Sequence, residues 1–154
     1  MRGVEIIDFR PELAGAFKAL NEAWITTLFA LEPKDRLVLG DPQGQILDKG
    51  GRVLFAVEDG DVVGCCALMA MADGGFEVAK MAVADAYKGR GLGRALMAGC
   101  VERARAAGAP RLYLETNSSL GPALGLYRAF GFVEIIPESP SPYARADVIM
   151  ELKL

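Results

Sequence analysis

The 154-residue sequence contains no histidine, and that absence excludes several kinds of active site. A Ser-His or Cys-His nucleophile pair cannot be built without one. A zinc site would have to rely on scattered thiols and carboxylates, so we expect no metal. The three cysteines cannot all pair with one another. Cys65 and Cys66 lie in an apolar run and Cys100 in a helical pattern, which predicts three reduced, packed thiols.

Long hydrophobic runs and an excess of positive charge are also missing. No apolar stretch approaches the roughly 18 residues that a membrane span needs, and Glu5 and Asp8 interrupt any secretory signal pattern early. With 17 Lys+Arg against 20 Asp+Glu, neither half of the chain is basic enough to favour nucleic acid. These absences predict a soluble, cytoplasmic protein with neither a nucleic-acid partner nor a membrane partner.

The residues that are present indicate one folded domain spanning residues 1–154, since 52% are hydrophobic and 24% charged. Apolar patterns predict strands at residues 4–9, 52–58, 62–71, 76–83, 111–116, 132–136 and 147–152. Helices are predicted from Pro11, across 24–31, and at 91–107 and 122–130, whereas residues 33–51 are expected to be loop-rich. This order predicts an α/β fold in which helices pack on a mixed sheet.

The most informative segment is a glycine-rich loop within residues 83–96, between a predicted strand and a predicted helix. Its glycines allow backbone N–H groups to approach a ligand, and the first N–H groups of a helix have no partner inside it. The helix dipole and nearby cations favour an anion there. The glycines are Gly89, Gly91 and Gly93, and the cations are Lys88, Arg90 and Arg94. The spacing fits neither the Rossmann nor the Walker phosphate loop.

The same loop fits the pattern Arg/Gln-x-x-Gly-x-Gly/Ala, with lysine at the first position. Lys80-Met-Ala-Val83 comes just before it, and Leu126-Tyr-Arg-Ala-Phe-Gly-Phe132 follows near the end of the chain. In this order and spacing the chain resembles the GNAT superfamily of N-acetyltransferases over nearly its whole length. The resemblance implies the acyl-CoA N-acyltransferase fold: a central, mostly antiparallel sheet of six to seven strands, flanked by about four helices.

The start of the chain is similar to one bacterial subgroup of this superfamily, through Asn21-Glu-Ala-Trp24, Asp41-Pro42 and Gly50-Gly51. In that subgroup the domain occurs alone or fused to a regulator of the MarR type. A chain of 154 residues has no room for such a regulator, so we expect the transferase domain alone.

The resemblance implies acetyl-CoA as the cofactor. The backbones of Met81 and Val83 would pair with the pantetheine arm like an added strand, and the loop amides would bind the diphosphate. Lys88 stands where arginine or glutamine is usual, and it lacks the planar fork of arginine. The implied cofactor-binding residues are Met81, Ala82, Val83, Lys88, Gly89, Arg90, Gly91, Leu92, Gly93, Arg94, Asn117 and Tyr127.

Two residues match catalytic positions of the superfamily. A primary amine with a pKa of about 10 is mostly protonated at neutral pH, so a carboxylate is needed to accept its proton. Glu77 matches the general base of some members, and Tyr127 matches the tyrosine that in many members protonates the departing thiolate. A solvated strand-end charge and a packed aromatic are the alternatives. Glu77 and Lys80 are expected on opposite faces of their strand unless a bulge intervenes.

The implied reaction is direct transfer of acetyl to a primary amine of a small molecule or peptide in a ternary complex; many relatives dimerise, which allows a homodimer. Trp24, Phe29, Tyr143 and Arg145 fall in segments that line the acceptor side in relatives, or else pack as a lid. Residues 1–80 hold 13 acidic and 8 basic residues, which suits a cationic amine. Two other functions stay open: a non-catalytic acyl-CoA-binding sensor, and transfer of a longer acyl group.

Overall fold

The computed structural model describes residues 3–136 and 141–154, and seven strands in these residues form one sheet. The strands are β1 (Glu5–Asp8), β2 (Arg52–Glu58), β3 (Asp61–Ala70), β4 (Phe76–Val83), β5 (Arg111–Thr116), β6 (Val133–Glu134) and β7 (Val148–Lys153). Their order across the sheet is β1-β2-β3-β4-β5-β7-β6. Every neighbouring pair is antiparallel except β4 and β5, which are parallel. The predicted mostly antiparallel sheet of six to seven strands is confirmed.

Four α-helices flank this sheet in the described residues, as predicted. They are α1 (Ala14–Leu28), α2 (Pro33–Gly40), α3 (Leu92–Ala106) and α4 (Gly121–Ala129). A short 3-10 turn, Pro11–Leu13, precedes α1, and a π-helical turn, Gln43–Leu47, follows α2. Across residues 3–136 and 141–154, no helix combines the length and apolar character needed to traverse a bilayer.

The prediction for the segment after α1 was wrong in two respects. The pattern at residues 24–31 is not a second helix, because α1 runs without a break to Leu28. The supposed loop at 33–51 instead begins with α2. Glu32 caps this helix, and the Asp35 side chain accepts a hydrogen bond from the Glu32 backbone N–H at 2.9 Å. Pro33 therefore starts a helix at its first position, where no N–H is needed, instead of ending one.

Both faces of the sheet are covered by helices. On one face α3 and α4 pack on the sheet and bury Leu92, Leu96 and Cys100, which recur every four residues along α3. On the other face α1 and α2 cover a second apolar cluster that contains Phe17 and Cys65. Neighbouring residues of a strand point to opposite faces, so Cys65 and Cys66 enter different clusters. All three cysteines are free and buried, which confirms the predicted packing role.

Two irregularities in β4 open the sheet near its centre. Cys65 pairs with Ala82 but Ala67 pairs with Ala79, so two residues of β4, Lys80 and Met81, stand opposite Cys66. This is a β-bulge, and Lys80 takes the positive φ of 55° there. The second irregularity is the early end of the parallel ladder between β4 and β5, which stops at Val78. Beyond Val78 the two strands are not paired.

Candidate active site

A cleft of about 470 Å3 lies where β4 and β5 separate. It is lined by the bulged half of β4, the end of β5 with the turn after it, and α4, and Trp24 and Phe29 of the α1 region close one side. Seven of the predicted site residues line it: Glu77, Met81, Ala82, Val83, Lys88, Asn117 and Tyr127. The four aromatic or basic residues expected on the acceptor side, Trp24, Phe29, Tyr143 and Arg145, line it too.

Among the described residues, no strand pairs with one edge of β4 at Met81 to Val83, because β4 and β5 separate there. The parallel ladder joins only Phe76, Glu77 and Val78 to β5. An extended ligand that carries amide groups can satisfy such an edge by adding to it as a strand.

The glycine-rich loop stands at the β4 side of the cleft and ends at the N-terminus of α3. Gly89 and Gly91 have φ of 81° and 79°, a conformation that favours glycine, and a Cβ atom at either position would meet nothing within 4 Å. Gly91 is the N-cap of α3, and no side chain in the described part of the chain caps this helix. The first helical N–H groups therefore face open space, as an anion site requires. The third glycine has another role: a Cβ on Gly93 would lie 3.3 Å from Leu126 of α4.

The three predicted cations of this loop are all at the surface. Lys88 lies 2.9 Å from Asp85, and Arg90 lies 3.4 Å from Glu58. The Arg94 guanidinium stands over the ring of Phe130, with 5.7 Å to the ring centroid. Exposed ion pairs and exposed cation–π contacts are both weak, so these side chains can turn toward a bound anion at little cost.

Glu77 faces the cleft from the closed end, where β4 and β5 still pair. Burial, and after it the nearby charge of Glu115, raise the pKa of its carboxyl to about 7, although Lys34 and Lys80 act in the opposite direction. A carboxyl with such a pKa is divided between its two protonation states at neutral pH. That is the condition under which a general base works best.

The bulge decides where Lys80 points. Strand parity would place Lys80 opposite Glu77, but the extra residue turns its side chain to the α1 and α2 face, the face that Ala79 and Ala82 share. There its Nζ lies 2.5 Å from Asp35 Oδ1 and donates a hydrogen bond to the Tyr143 hydroxyl at 3.1 Å. The sequence predicted Glu77 and Lys80 on opposite faces of the strand unless a bulge intervened. The bulge is present, so both side chains lie on the same face.

Asp35 is the centre of a buried charge network. Its two carboxylate oxygens also accept hydrogen bonds from Arg145, at 2.6 and 2.8 Å, and Arg145 reaches Glu32 at 3.1 Å. Hydrogen bonds from Arg145 and Lys80 hold the pKa of the Asp35 carboxyl well below its ordinary value despite its burial. These interactions connect residues 143–145 with α2 and with the bulge of β4.

Tyr127 enters the cleft from α4, on the face opposite Glu77. Its ring packs at 6.0 Å from Phe132, and burial raises the pKa of its hydroxyl to about 12. The phenol therefore keeps its proton at neutral pH and is available as a donor.

Asn117 lies in the turn after β5, where its side chain forms hydrogen bonds with the backbone of two other residues. Its Nδ2 donates to the Arg145 carbonyl at 2.6 Å, and its Oδ1 accepts from the Ser119 N–H at 2.8 Å. Its proposed contact with pantetheine stays a prediction.

A family model described as the acetyltransferase (GNAT) family matches residues 16–132, well over half of the chain. The chain belongs to this family.

Curated relatives of this GNAT chain are named acetyltransferases. It is 39% identical over 90 residues to an IAA acetyltransferase of Azospirillum brasilense, which covers 58% of this chain and 59% of the relative. It is 36% identical over 87 residues to the streptothricin acetyltransferase of Streptomyces lavendulae, which covers 55% of this chain and 46% of that protein. The chain thus spans about half of the length of the curated relatives that it matches.

Solved structures resemble the GNAT chain over almost all of its length. A GNAT acetyltransferase from Staphylococcus aureus Mu50 matches with a TM-score of 0.88 at 18% identity, covering 98% of this chain and 99% of that one. The PaiA N-acetyltransferase of Thermoplasma acidophilum, in complex with coenzyme A, matches with a TM-score of 0.78 at 16% identity, covering 99% of both. At these identities the likeness shows the fold, and it confirms the fold class that the resemblance implied.

Sequence reasoning missed two charged residues of this GNAT site. Asp35 fell in the segment expected to be loop, although the Glu32–Pro33 start and the acidic residue at 35 form a readable helix-capping pattern. Glu115 falls in the predicted strand 111–116 and was given no functional role. The signal was available, since β5 alternates buried Leu112 and Leu114 with partly exposed residues on the other face, where Glu115 lies.

Proposed function

We propose that this protein transfers the acetyl group of acetyl-CoA to a primary amine, which attacks the thioester directly while both substrates are bound. The observation that carries the proposal is the cleft where β4 and β5 separate. It joins an unpaired strand edge, a side chain suited to act as a base and a phenol in one space, beside an uncapped helix N-terminus. Membership of the GNAT family supports acetyl-CoA as the co-substrate.

Coenzyme A fits the α3 and α4 side of the cleft. Its diphosphate would accept hydrogen bonds from the N–H groups of residues 89–94, at the positive end of the α3 dipole. Its pantetheine amides would pair with the free edge of β4 at Met81 and Val83. The acetyl thioester then lies between the strands, close to Tyr127.

The amine approaches from the opposite face, which carries Glu77. Glu77 accepts a proton from the ammonium group, and the free nitrogen attacks the thioester carbonyl carbon. When the carbon–sulfur bond breaks, Tyr127 donates its proton to the sulfur. The nitrogen gives up a second proton, which restores the phenol. The products are the amide, coenzyme A as a thiol and one proton.

The alternative of a non-catalytic sensor requires a cleft that lacks a productive base. Glu77 lines the cleft and its pKa is raised to about 7, so the described residues favour the enzyme.

The experiment combines binding and turnover. Calorimetry with coenzyme A tests the cofactor site, and release of the CoA thiol from acetyl-CoA, followed with a thiol reagent across a panel of primary amines, tests transfer. We expect both signals. Binding without acetylation of any amine would favour the sensor, and absence of binding would refute the assignment of the loop.

A further inference from the structure

The end of the cleft that contains Glu77 is lined by two carboxylates and two cations. We call this part, on the α1 and α2 face, the acceptor end; its charged residues are Glu77, Glu115, Lys80 and Arg145. The formal charges of these four residues sum to zero, but the four charges are not equally available to a ligand.

Both cations are neutralised by carboxylates that do not line the cleft. Lys80 is bound to Asp35 at 2.5 Å, and Arg145 to Asp35 at 2.6 Å and to Glu32 at 3.1 Å. Asp35 and Glu32 lie behind these cations rather than in the cleft. The ring of Tyr143 already makes two cation–π contacts, because Lys80 and Arg145 lie 4.4 and 4.5 Å from its centroid.

The two carboxylates have no such partners. Within residues 3–136 and 141–154, no basic side chain lies within ion-pair distance of Glu77 or Glu115. Glu115 accepts hydrogen bonds from neutral hydroxyls only, those of Tyr113 at 2.9 Å and Ser141 at 2.5 Å. A ligand at the acceptor end therefore meets two carboxylates that form no ion pair in the described residues, although Lys34 and Lys80 act on Glu77 from a longer distance. A cationic ligand removes the cost of holding these charges away from water.

The two carboxylates are separated along the sheet. Glu77 pairs in register with Tyr113, and Glu115 lies two residues further along β5 on the same face. With a rise of about 3.3 Å per residue and about 4.8 Å between strands, their Cα atoms lie roughly 8 Å apart. Trp24, Leu28 and Phe29 supply an apolar wall beside them. This arrangement suits two positive groups joined by a short apolar chain.

We propose that the acceptor is a linear diamine, whose reacting amine lies against Glu77 while its second ammonium group binds Glu115. This inference rests on the acetyl-transfer function proposed above and specifies its substrate. Acetylation removes the charge of the amine at Glu77, so the second ammonium group is what continues to hold the product at Glu115.

The test compares amines that differ in the second group alone: 1,4-diaminobutane, n-butylamine and 4-aminobutanoate. Values of kcat/KM with saturating acetyl-CoA are measured for the wild type, for Glu115→Gln and for Glu102→Gln. Glu102 is exposed on α3 and serves as a matched control. We expect the wild type to prefer the diamine over n-butylamine by at least about tenfold, as a charge-assisted hydrogen bond allows. It should disfavour 4-aminobutanoate, whose carboxylate would meet Glu115.

Glu115→Gln should bring the ratio of diamine to monoamine close to one, while Glu102→Gln keeps the wild-type ratio. Equal rates for the two amines in the wild type, or an unchanged preference in Glu115→Gln, would overturn the diamine inference and leave acetyl transfer standing. Failure of the wild type to acetylate any amine despite binding acetyl-CoA would overturn both. The comparison of amines on the wild type needs no variant, so it holds even if Glu115→Gln folds poorly.

Discussion

Glu77 and Tyr127 lie on opposite faces of the sheet, and burial shifts the pKa of each in the direction that its proposed role needs. The pKa of Glu77 is raised to about 7, where a carboxylate can accept a proton from an amine. The pKa of Tyr127 is raised to about 12, so the phenol is protonated when the thiolate departs. Both assignments come from positions in the sequence, and they stay predictions until variants are measured.

Replacement of the phenol tests the proton donor. Tyr127→Phe should lower kcat by at least about tenfold at neutral pH, because the thiolate then leaves without a proton. Affinity for coenzyme A should change little, since the ring and its packing on Phe132 are kept. Steady-state kinetics and calorimetry on the same sample decide this, and an unchanged kcat would remove Tyr127 from the mechanism.

The pH dependence of catalysis tests the base. Only the ionised form of Glu77 accepts a proton, so wild-type kcat/KM should rise with pH through about 7. Glu77→Gln should lose this limb and about two orders of magnitude in kcat. A profile from pH 5.5 to 9 measures both, with Glu102→Gln as the surface control. A limb near pH 7 that persists in Glu77→Gln would assign it to another group.

When it is ionised, the buried carboxyl of Glu77 should lower the free energy of unfolding. Its folded-state pKa is raised above the value of 4.5 expected for an unfolded chain, so the native state binds more protons between pH 4.5 and about 7. The free energy of unfolding therefore falls as pH rises through this window. Glu77→Gln should raise Tm at pH 8 and have little effect at pH 4.5. A variant less stable than wild type at pH 8 would contradict the burial of an uncompensated charge.

The residues that sequence reasoning missed share a physical cause. Asp35 acquires its role from Lys80 and Arg145, which are 45 and 110 positions away along the chain. Glu115 matters because a parallel partner strand brings it to the face of Glu77. Local patterns could have placed both residues in their helix and strand, but contacts over such distances leave no local pattern for their roles. The match of Tyr127, in contrast, depended on residues next to it.

Among the elements, the loop before α3 was the most readable, because its conformation depends on local backbone geometry. Two of its glycines have positive φ, as a tight anion-binding turn requires, and the third allows α3 to approach Leu126. The helix α2 was misread because proline was taken as a stop signal. Its capping pattern shows that the same residue starts the helix.

A bulky neutral residue at the N-cap of α3 tests the anion site. Gly91→Leu should weaken binding of coenzyme A by at least about tenfold, which corresponds to about 1.4 kcal/mol. The side chain would cover the free N–H groups, and the positive φ of 79° strains any L-residue. Calorimetry measures the change. Gly15→Ala, at an exposed helical glycine with nothing near its Cβ, is the control. Wild-type affinity in Gly91→Leu would disprove binding of the diphosphate by this loop.

The whole molecule is organised around one sheet whose strands run from Glu5 to Lys153, with α3 and α4 on one face and α1 and α2 on the other. Since residues from both ends of the chain share that sheet, we expect unfolding in urea to be a single transition. The fluorescence of Trp24 and far-UV circular dichroism should report the same midpoint. Coenzyme A at about 100 times its Kd should raise the free energy of unfolding by about 2.7 kcal/mol. Two separate transitions would contradict a single domain over residues 1–154.

The amino-acid sequence by itself determined the strands β2, β4 and β5 and the glycine-rich loop before α3, because each depends on neighbouring residues. Only the tertiary structure decided what the cleft contains. The bulge at Lys80 and the early end of the β4–β5 ladder arise from pairing between distant strands, and they set which charges face the cleft. Local patterns specify backbone conformation, but the balance of charge inside a cavity depends on which distant side chains fold together.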